Sequence, residues 1–476
     1  MTNEASCCRR RLCAIALLGA FVLLSGCAVG PNYKRPVVDS PAAFRGKTSP
    51  GANSLGEEDW WAVYQDPILQ SLIREAITNN YDLLIATARV EQEQALAAQA
   101  RSQFVPNVDF NGTISRGRND VLGSIFPNNG ITESSPLVSV NAFWEFDLWG
   151  RIRRLNEAAR ARVLASEDAR NGVLLTLLSD VASDYFQLLE LDRELEIDAR
   201  AADSFADSLN IFKQRMEGGT GSALETSRAE AALADANSAT PFVLEQISFT
   251  ENELCILLGR NPGPITRSRA DFTGQLTPVV PAGLPSQLLE RRPDIRESEH
   301  LLRAANADVG ESVAEFFPKI GLTALLGRVS PALSAFSLGT ANAWGVAAEA
   351  TGPIFEGGRL VGQYHQAKAA KEEAALQYRQ TILFAFRDVS DALISRQRLA
   401  EIRDQQSIEV TSLEQAVKLS TERYLAGKAS YYEVLEAQQQ LFPAQLNLAR
   451  TRRDELLAVV TLYKSLGGGW EEARAK

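Results

Sequence analysis

The sequence predicts a mainly α-helical protein with a few membrane-spanning β-strands, built from two copies of one unit. The composition favours long helices, since Ala, Leu, Gln, Glu and Arg are plentiful while aromatic residues make up only 8% of the chain. Proline is absent from residues 151–240. Similar segments recur at one constant spacing, and each copy contains two stretches of alternating polar and apolar residues.

The N-terminal residues 1–26 have the features of an export signal. Three arginines at 9–11 precede an apolar run that is too short to span a bilayer as a mature helix. The run ends in LLSGC at 23–27, where small residues before a cysteine resemble the bacterial lipoprotein signal. We therefore predict acylation of Cys27, and Ala28 after it favours the outer membrane. An ordinary signal peptide with an incidental cysteine is the alternative.

Charge and composition argue against several classes of protein. The net charge is -10, which argues against a nucleic-acid-binding protein because neutralising phosphates needs a basic face. His300 and His365 have no metal-ligand spacing around them, and the glycine-rich segment 218–225 lacks the GK[ST] sequence of a phosphate loop. We predict no enzymatic activity, no metal and no cofactor.

The repeat divides the chain into two structural units. WGRIRRLNEAARA, RMEGGTGSALE and LLGRN each align with a segment 208 residues later: GGRLVGQYHQAKA, RYLAGKASYYE and SLGGG. The first unit is assigned to 62–260 and the second to 294–470, with a proline-rich connector at 261–293. A lipidated segment, 27–61, precedes the first unit, and a tail, 471–476, follows the second.

Each unit is predicted to contain the same order of elements: a helical segment, two strands, a very long helix and a shorter return helix. The helical segments are 68–101 and about 286–316, and the strands are about 103–116, 136–149, 317–328 and 342–355. The long helices are 151–217 and 359–425, and the return helices are 222–258 and 430–466. A helix of this length extends roughly 100 Å and needs a partner along its course.

Each long helix is expected to form an antiparallel coiled-coil hairpin with its return helix. Phe205, Leu209, Phe212 and Met216 form a narrow apolar stripe on the first long helix. Gly219 and Gly427 occupy equivalent positions in the two copies, and glycine at a helix end accepts the left-handed conformation of a turn. A Ser-x-x-Glu capping box follows each glycine: Ser222 with Glu225, and Ser430 with Glu433. Glu436 has no capping role.

The strands alternate between apolar and polar residues. Val138, Val140 and Trp144 share one face, and Ser139 and Glu145 share the other. Such alternation fits a membrane-spanning β-barrel or a small soluble sheet with one buried face. Four strands cannot close a barrel and open edges are not tolerated in lipid, so a membrane location requires several chains, and three would supply twelve strands. Inward carboxylates would then line a water-filled lumen: Glu145, Asp147 and Glu349.

Several motifs together resemble the TolC-like outer membrane factors, in particular the lipoprotein branch called the NodT family. The resemblance covers essentially the whole mature chain, and the motifs that carry it are GCAVGPNYKRP (26–36), DWWAVYQDPILQSLIREAITNNYDLLIA (59–86), FDLWGR (146–151), LPSQLLERRPDI (284–295), IFEGGR (354–359) and LGGGW (466–470). The resemblance implies a homotrimer with an outer-membrane β-barrel, a long periplasmic α-helical barrel and an equatorial belt that includes 27–61 and 261–293.

The resemblance implies that the protein is the exit duct of a tripartite efflux pump for small molecules. Its partners would be outer-membrane lipid, a periplasmic adaptor protein and an inner-membrane transporter of the RND type. A duct for a type I protein secretion system is an alternative within the family. A periplasmic adaptor lipoprotein is a second alternative, but adaptors carry one hairpin and this chain has two.

The resemblance also assigns roles to the hairpin ends. By motif match, the periplasmic aperture falls on five residues: Leu224, Glu225, Tyr424, Glu433 and Glu436. The adaptor would dock on the turn residues Gly219, Ser222, Gly427 and Ser430. Relatives can carry a basic residue two positions after the turn glycine, but Ala429 occupies that position here, so an ionic lock of that kind is not expected.

Overall fold

The computed structural model describes residues 28–41, 44–45, 64, 66–118, 132–268, 285–329 and 342–468. The chain divides into two compact units. The first, called the strand unit, comprises the described parts of Met1–Val37, Val90–Ser166 and Ser298–Tyr378. The second, called the hairpin unit, comprises the described parts of Val38–Arg89, Glu167–Glu297 and Arg379–Lys476.

The described elements follow the same order in both halves of the chain. The first half contains α1 (Pro67–Asn79), α2 (Tyr81–Ser102), β1 (Asn107–Arg118), β2 (Thr132–Phe146), α3 (Arg151–Glu217) and α4 (Ala223–Leu257). The second half contains α5 (Pro285–Arg291), α6 (Pro293–Ala314), β3 (Lys319–Val329), β4 (Asn342–Thr351), α7 (Arg359–Leu425) and α8 (Tyr431–Leu466). Helices α3 and α7 have 67 residues each and the same bounds as the proline-free pattern predicts.

The prediction of one continuous helix before the strands was wrong in both halves. The first helix breaks at Asn80, whose backbone is extended and whose side-chain oxygen accepts a hydrogen bond from the Leu83 amide at 2.9 Å. The second breaks at Arg292, because Pro293 disfavours a helical conformation in the residue before it.

Both breaks pack against the end of a return helix in the hairpin unit. The Asn80 amide donates to the Leu257 carbonyl at 3.0 Å, and the Arg292 guanidinium donates to the Ser465 carbonyl at 3.0 Å. Leu257 and Ser465 are related by the 208-residue repeat. The same joint therefore occurs twice, once with a neutral side chain and once with a charged one.

The strand unit contains one antiparallel sheet in the order β1-β2-β3-β4. The strands differ slightly from the predicted bounds. The chain leaves α2 through turn bonds at 103–105, so β1 begins at Asn107, and β2 ends at Phe146 because the next residue, Asp147, turns the chain toward α3. The predicted 342–355 strand ends at Thr351.

The sheet register places a row of apolar residues from all four strands on one face. Phe110 lies opposite Val140, Val140 lies opposite Leu326, and Leu326 lies opposite Trp344. Directly opposed residues of neighbouring strands point to the same side of a sheet. No described part of the chain covers this face, and 73% of Phe110 and 76% of Trp344 are exposed.

A large apolar core holds the hairpin unit together. It contains residues of α1, α3, α4, α7 and α8, among which Leu69, Tyr185 and Tyr463 are fully buried. Tyr185 donates a hydrogen bond to the Asp66 carboxylate at 2.6 Å, and that carboxylate also caps α1 by accepting from the Ile68 amide. The core therefore fixes the start of α1 as well as the middle of α3.

A second cluster joins the two helical hairpins. Phe205, Leu209 and Phe212 of the predicted stripe pack against Tyr431 and Val434 of α8 as well as against α4. The fourth residue of the stripe, Met216, is exposed. The first long helix thus contacts the return helix of the other copy, which the hairpin pattern alone does not predict.

We expect the stability of the hairpin unit to depend on Asp184. Burial, together with the carboxylates of Glu253 and Asp180, raises the pKa of Asp184 to about 7. The pKa of an unfolded aspartate is about 4, so the folded protein binds a proton that the unfolded chain releases, and stability falls as the pH rises from about 4 to about 7. When thermal unfolding is measured at pH 5 and at pH 8, the midpoint should decrease less between the two pH values for Asp184→Asn than for the wild type.

The exposed Asp203 of the same helix provides a matched control. Asp203→Asn should reproduce the wild-type difference between the two pH values. Equal losses for the wild type and Asp184→Asn would contradict the prediction.

Candidate functional site

The first hairpin turns at Gly219, which has a φ angle of +73°. The Gly219 amide donates to the Met216 carbonyl and the Thr220 amide to the Arg215 carbonyl, the pair of bonds that closes a helix end with glycine. The predicted capping box is present: Ser222 Oγ accepts from the Leu224 amide, and the Glu225 carboxylate accepts from the Ser222 amide.

The second hairpin repeats the turn but not the cap. Gly427 has a φ angle of +64°. Its amide donates to the Tyr424 carbonyl, and the Lys428 amide donates to the Arg423 carbonyl. The predicted capping box at Ser430 was wrong, since its side chain makes no capping bond. The Glu433 carboxylate instead lies 3.9 Å from the Arg423 guanidinium, and a cationic neighbour competes for the carboxylate that the box would use.

Aromatic residues and one arginine bring the two hairpins together near these turns. The Phe212 and Tyr431 rings lie 4.1 Å apart, and the Tyr424 and Tyr431 rings lie 5.6 Å apart. Arg215 of α3 donates a hydrogen bond to the Tyr424 hydroxyl of α7, with its guanidinium 5.1 Å from the ring centroid. Tyr424 therefore links the two hairpins of one chain.

Sequence reasoning missed Arg215 as a functional residue. A signal existed, because Arg215 and Arg423 begin the two aligned segments RMEGG and RYLAG. Each of them lies one turn before its hairpin glycine and contacts a residue predicted for the aperture: Tyr424 and Glu433, respectively.

The remaining predicted aperture residues lie on the surface of the hairpin unit. Leu224 is 61% exposed, and the carboxylates of Glu433 and Glu436 are exposed on the first turns of α8. Glu225 is half-buried by its capping contact. The structure thus engages Tyr424 and Glu225 in local contacts and leaves Leu224 and Glu436 facing solvent.

Two of the three predicted lumen carboxylates lie on the same face of the sheet in the strand unit, on either side of β3. Glu145 of β2 and Glu349 of β4 are both paired with Gly321 of β3, so they share the polar face of the sheet. The Glu145 carboxylate also accepts two hydrogen bonds from the Arg151 guanidinium, at 2.9 and 2.8 Å.

The prediction that Asp147 lies on a strand was wrong. Asp147 lies after the end of β2, and its carboxylate accepts from the backbone amides of Ile152 and Arg153 at 3.1 and 2.9 Å. It therefore satisfies the free amides at the start of α3, where a negative charge is favourable.

The N-terminal segment is fixed at the same strand–helix junction. The Val29 amide donates to the Trp149 carbonyl at 3.0 Å, and Ala28 packs directly against Gly150. Trp149 stacks on Phe317, with ring centroids 4.7 Å apart. Cys27 lies outside the described residues, but its neighbour Ala28 is at the base of the strands.

Within the described ranges, no cluster of His, Cys, Asp or Glu side chains is arranged to hold a metal ion. No described helix combines the length and the apolar character that crossing a membrane would require. His300 lies on α6 and His365 lies on α7.

Two long helical hairpins, together with a four-stranded sheet that has an exposed apolar face, are the architecture of an outer-membrane channel. The chain belongs to the outer membrane efflux protein family, which it matches over residues 72–260 and 284–468. It is an outer-membrane efflux channel with a large periplasmic helical extension. The channel fold and the efflux interpretation are thereby confirmed, and a periplasmic adaptor is not supported.

The relatives of this chain carry the names of efflux channels rather than of enzymes. It is 34% identical over 459 residues to the toluene efflux pump outer membrane protein TtgC of Pseudomonas putida, covering 94% of each chain. It is 29% identical to the cation efflux system protein CusC of Escherichia coli, covering 94% of this chain and 97% of CusC. The structure of the outer-membrane channel OprN has a TM-score of 0.87 and 26% identity, covering 93% of this chain and all of OprN.

Proposed function

We propose that three copies of this chain form a closed twelve-stranded barrel that conducts small molecules out of the cell. The observation that carries the proposal is a sheet whose apolar face is uncovered by the described residues and whose outer strands, β1 and β4, each pair with one described strand. Unpaired strand edges are not tolerated in lipid. If β4 of each copy pairs with β1 of the next, neither strand keeps an open edge.

We propose that acylation of Cys27 holds the chain at the inner surface of the outer membrane. The position of Ala28, the residue bonded to Cys27, supports this, since Ala28 packs against Gly150 at the junction between β2 and α3. Trp149 and Phe317 at the same junction are of the type that favours the membrane interface.

The lipid-facing role of the sheet predicts opposite outcomes at two adjacent residues of β4. Val346 is on the apolar face and 75% exposed, whereas Ala347 is on the polar face. An arginine on the lipid face of a barrel costs about 2–4 kcal/mol near the midplane. Val346→Arg should strongly reduce the amount of trimer in outer-membrane fractions, while Ala347→Arg should insert normally and shift ion selectivity toward anions.

Native mass spectrometry of the purified protein would give the number of chains. Equal insertion of Val346→Arg and Ala347→Arg would contradict a lipid-facing role for the apolar face. A monomer that conducts ions would contradict the trimer.

We propose that the hairpin ends form the periplasmic aperture and the docking surface for an adaptor, with an energised transporter of the RND type supplying the substrate. The exposed ends of both hairpins, with left-handed glycines at Gly219 and Gly427, support this, because among the described residues a Cβ atom added at either glycine would meet nothing within 4 Å. The duct itself contributes no energy source.

Glu433 and Glu436 are expected to favour cations at the aperture. Both carboxylates are exposed, and three copies would bring them together as an acidic ring, which raises the local cation concentration. In planar bilayers, the Glu433→Gln, Glu436→Gln double variant should lose most of the cation preference of the wild type. Glu414 is an exposed carboxylate on α7, farther from the turn, and Glu414→Gln is the control that should keep the cation preference. Unchanged selectivity of the double variant would rule out the acidic ring.

A further inference from the structure

A basic cavity in the strand unit is not used by the channel described above. Its volume is about 520 Å³, and α3, α6 and the N-terminal segment supply its walls. The lining includes Arg153, Arg160, His300 and Arg303, together with the aromatic rings of Tyr33 and Phe104. We propose that this cavity binds the phosphate of an anionic phospholipid head group.

The charges around the cavity leave an excess of arginine. Arg303 binds Glu299 at 2.6 Å, and the same carboxylate also binds Arg35 at 2.9 Å. The cavity's own carboxylate, Glu157, is bound by Arg154 at 2.7 Å. The acidic groups are therefore already engaged, and two of the arginines share one of them.

Arg160 is the residue available to an incoming anion. It is exposed, lines the cavity, and has no ion pair among the described residues. A guanidinium can bind phosphate oxygens through two parallel hydrogen bonds, which favours phosphate over other small anions. Arg303 lines the cavity from α6, where the Glu299 carboxylate and the Tyr33 ring, 5.0 Å from its guanidinium, hold it in place.

The cavity lies next to the ends of the strands. Phe104 precedes the start of β1 by three residues, and Arg153 is the third residue of α3. Arg160 follows seven residues later, which places it roughly 10 Å farther along the helix. The head-group layer on each side of the hydrocarbon core is about 5–8 Å thick. If the strands span lipid, as in the proposed function on which this inference rests, Arg153 and Phe104 lie at the depth of the head groups. The backbone of Arg160 lies just beyond that layer, and because helical side chains tilt toward the helix N-terminus, its long side chain extends back toward the head groups.

The apolar part of the lining favours a lipid over a free phosphate. Phe104 and Leu164 line the same cavity as the arginines, and both are partly exposed there. A free inorganic phosphate would gain nothing from these side chains, whereas the glycerol and the first methylene groups of a phospholipid would pack against them.

The repeat provides a matched control. Lys368 of α7 occupies the position equivalent to Arg160 and is also exposed and basic. The residues equivalent to Arg153 and Asn156 are Val361 and Tyr364, so the second copy lacks the guanidinium and the amide that these two residues supply to the cavity. A loss of charge at Lys368 tests general attraction to the membrane without affecting the cavity.

The test uses the full-length protein reconstituted into vesicles of phosphatidylglycerol and phosphatidylcholine. The number of phosphatidylglycerol molecules retained after extraction is counted by native mass spectrometry. A basic residue near an anionic lipid surface contributes enough that Arg160→Gln should lower the retention about fivefold. Arg160→Lys should retain most of the lipid, and Lys368→Gln should match the wild type.

Three outcomes would overturn the proposal. Retention by Arg160→Gln equal to that of the wild type would show that the cavity is not the site. Release of the lipid from the wild type by excess inorganic phosphate would show that free phosphate is its ligand. Equal losses for Arg160→Gln and Lys368→Gln would show general electrostatic attraction.

Conductance in phosphatidylcholine vesicles separates this proposal from the proposed function. A wild-type protein that conducts ions but retains no phosphatidylglycerol would contradict the lipid site alone. A wild-type protein that forms no channel in either lipid would contradict the proposed function, and the lipid site would fail with it.

Discussion

The Arg215→Gln, Tyr424→Phe double variant is expected to raise the conductance of the resting channel by about two orders of magnitude. The bond between Arg215 and the Tyr424 hydroxyl joins the two hairpins of one chain near their turns. Because Arg215 is exposed, its loss is worth about 1 kcal/mol for each chain. Three chains that open together would sum these losses to about 3 kcal/mol, or roughly a hundredfold change in the open population.

Single-channel recording in planar bilayers measures this effect directly. Tyr432→Phe is the matched control, because Tyr432 is 57% exposed and lies on the first turn of α8 next to Tyr431. It should leave the resting conductance unchanged. A double variant as closed as the wild type would show that the Arg215–Tyr424 contact does not hold the hairpins together.

Gly259→Ala is expected to destabilise the folded chain by about 2–5 kcal/mol. Gly259 ends α4 with a φ angle of +71°, and a Cβ atom added there would lie 2.3 Å from the Asn79 carbonyl oxygen. The substitution therefore combines backbone strain with a clash against backbone at the first helix break. Thermal unfolding of the purified protein should show a large decrease in the midpoint, and little protein should reach the outer membrane.

Gly219→Ala separates the two contributions. Gly219 has nearly the same φ angle, +73°, but an added Cβ atom would meet nothing within 4 Å. Only the conformational strain of about 1–2 kcal/mol should remain. Similar destabilisation by both substitutions would show that close packing of the return helix on the break at Asn80 contributes little.

The fold could be predicted where a pattern extends over many residues. The bounds of α3 and α7 follow from the absence of proline and the positions of Gly219 and Gly427, and each of these signals is local to the chain. The break at Asn80 could not be predicted in this way, because no glycine or proline marks it. The local bond from the Leu83 amide to the Asn80 side chain is joined there by a second bond from Asn80 to Leu257, which is 177 residues away in sequence.

The candidate site shows the same division. Gly219, Ser222 and Glu225 form the predicted turn and cap because all of their partners are within a few residues. Ser430 has the same sequence signal, but no capping bond forms there while Arg423 lies close to the Glu433 carboxylate. The bond between Arg215 and Tyr424 joins two hairpins, and periodicity within one helix contains no information about it.

The open edges of the sheet also determine the order in which the channel is built. In the described sheet of a single chain, β1 and β4 each have one unpaired edge, and the chain cannot enter lipid without leaving the backbone groups of these edges unsatisfied. Under the proposed function, three chains must therefore associate before or during insertion, not after it. An acyl anchor would confine the chains to the membrane surface before they associate, and this confinement would raise their effective concentration for one another. On this view the lipid on Cys27 accelerates biogenesis, and the strands hold the finished channel in place.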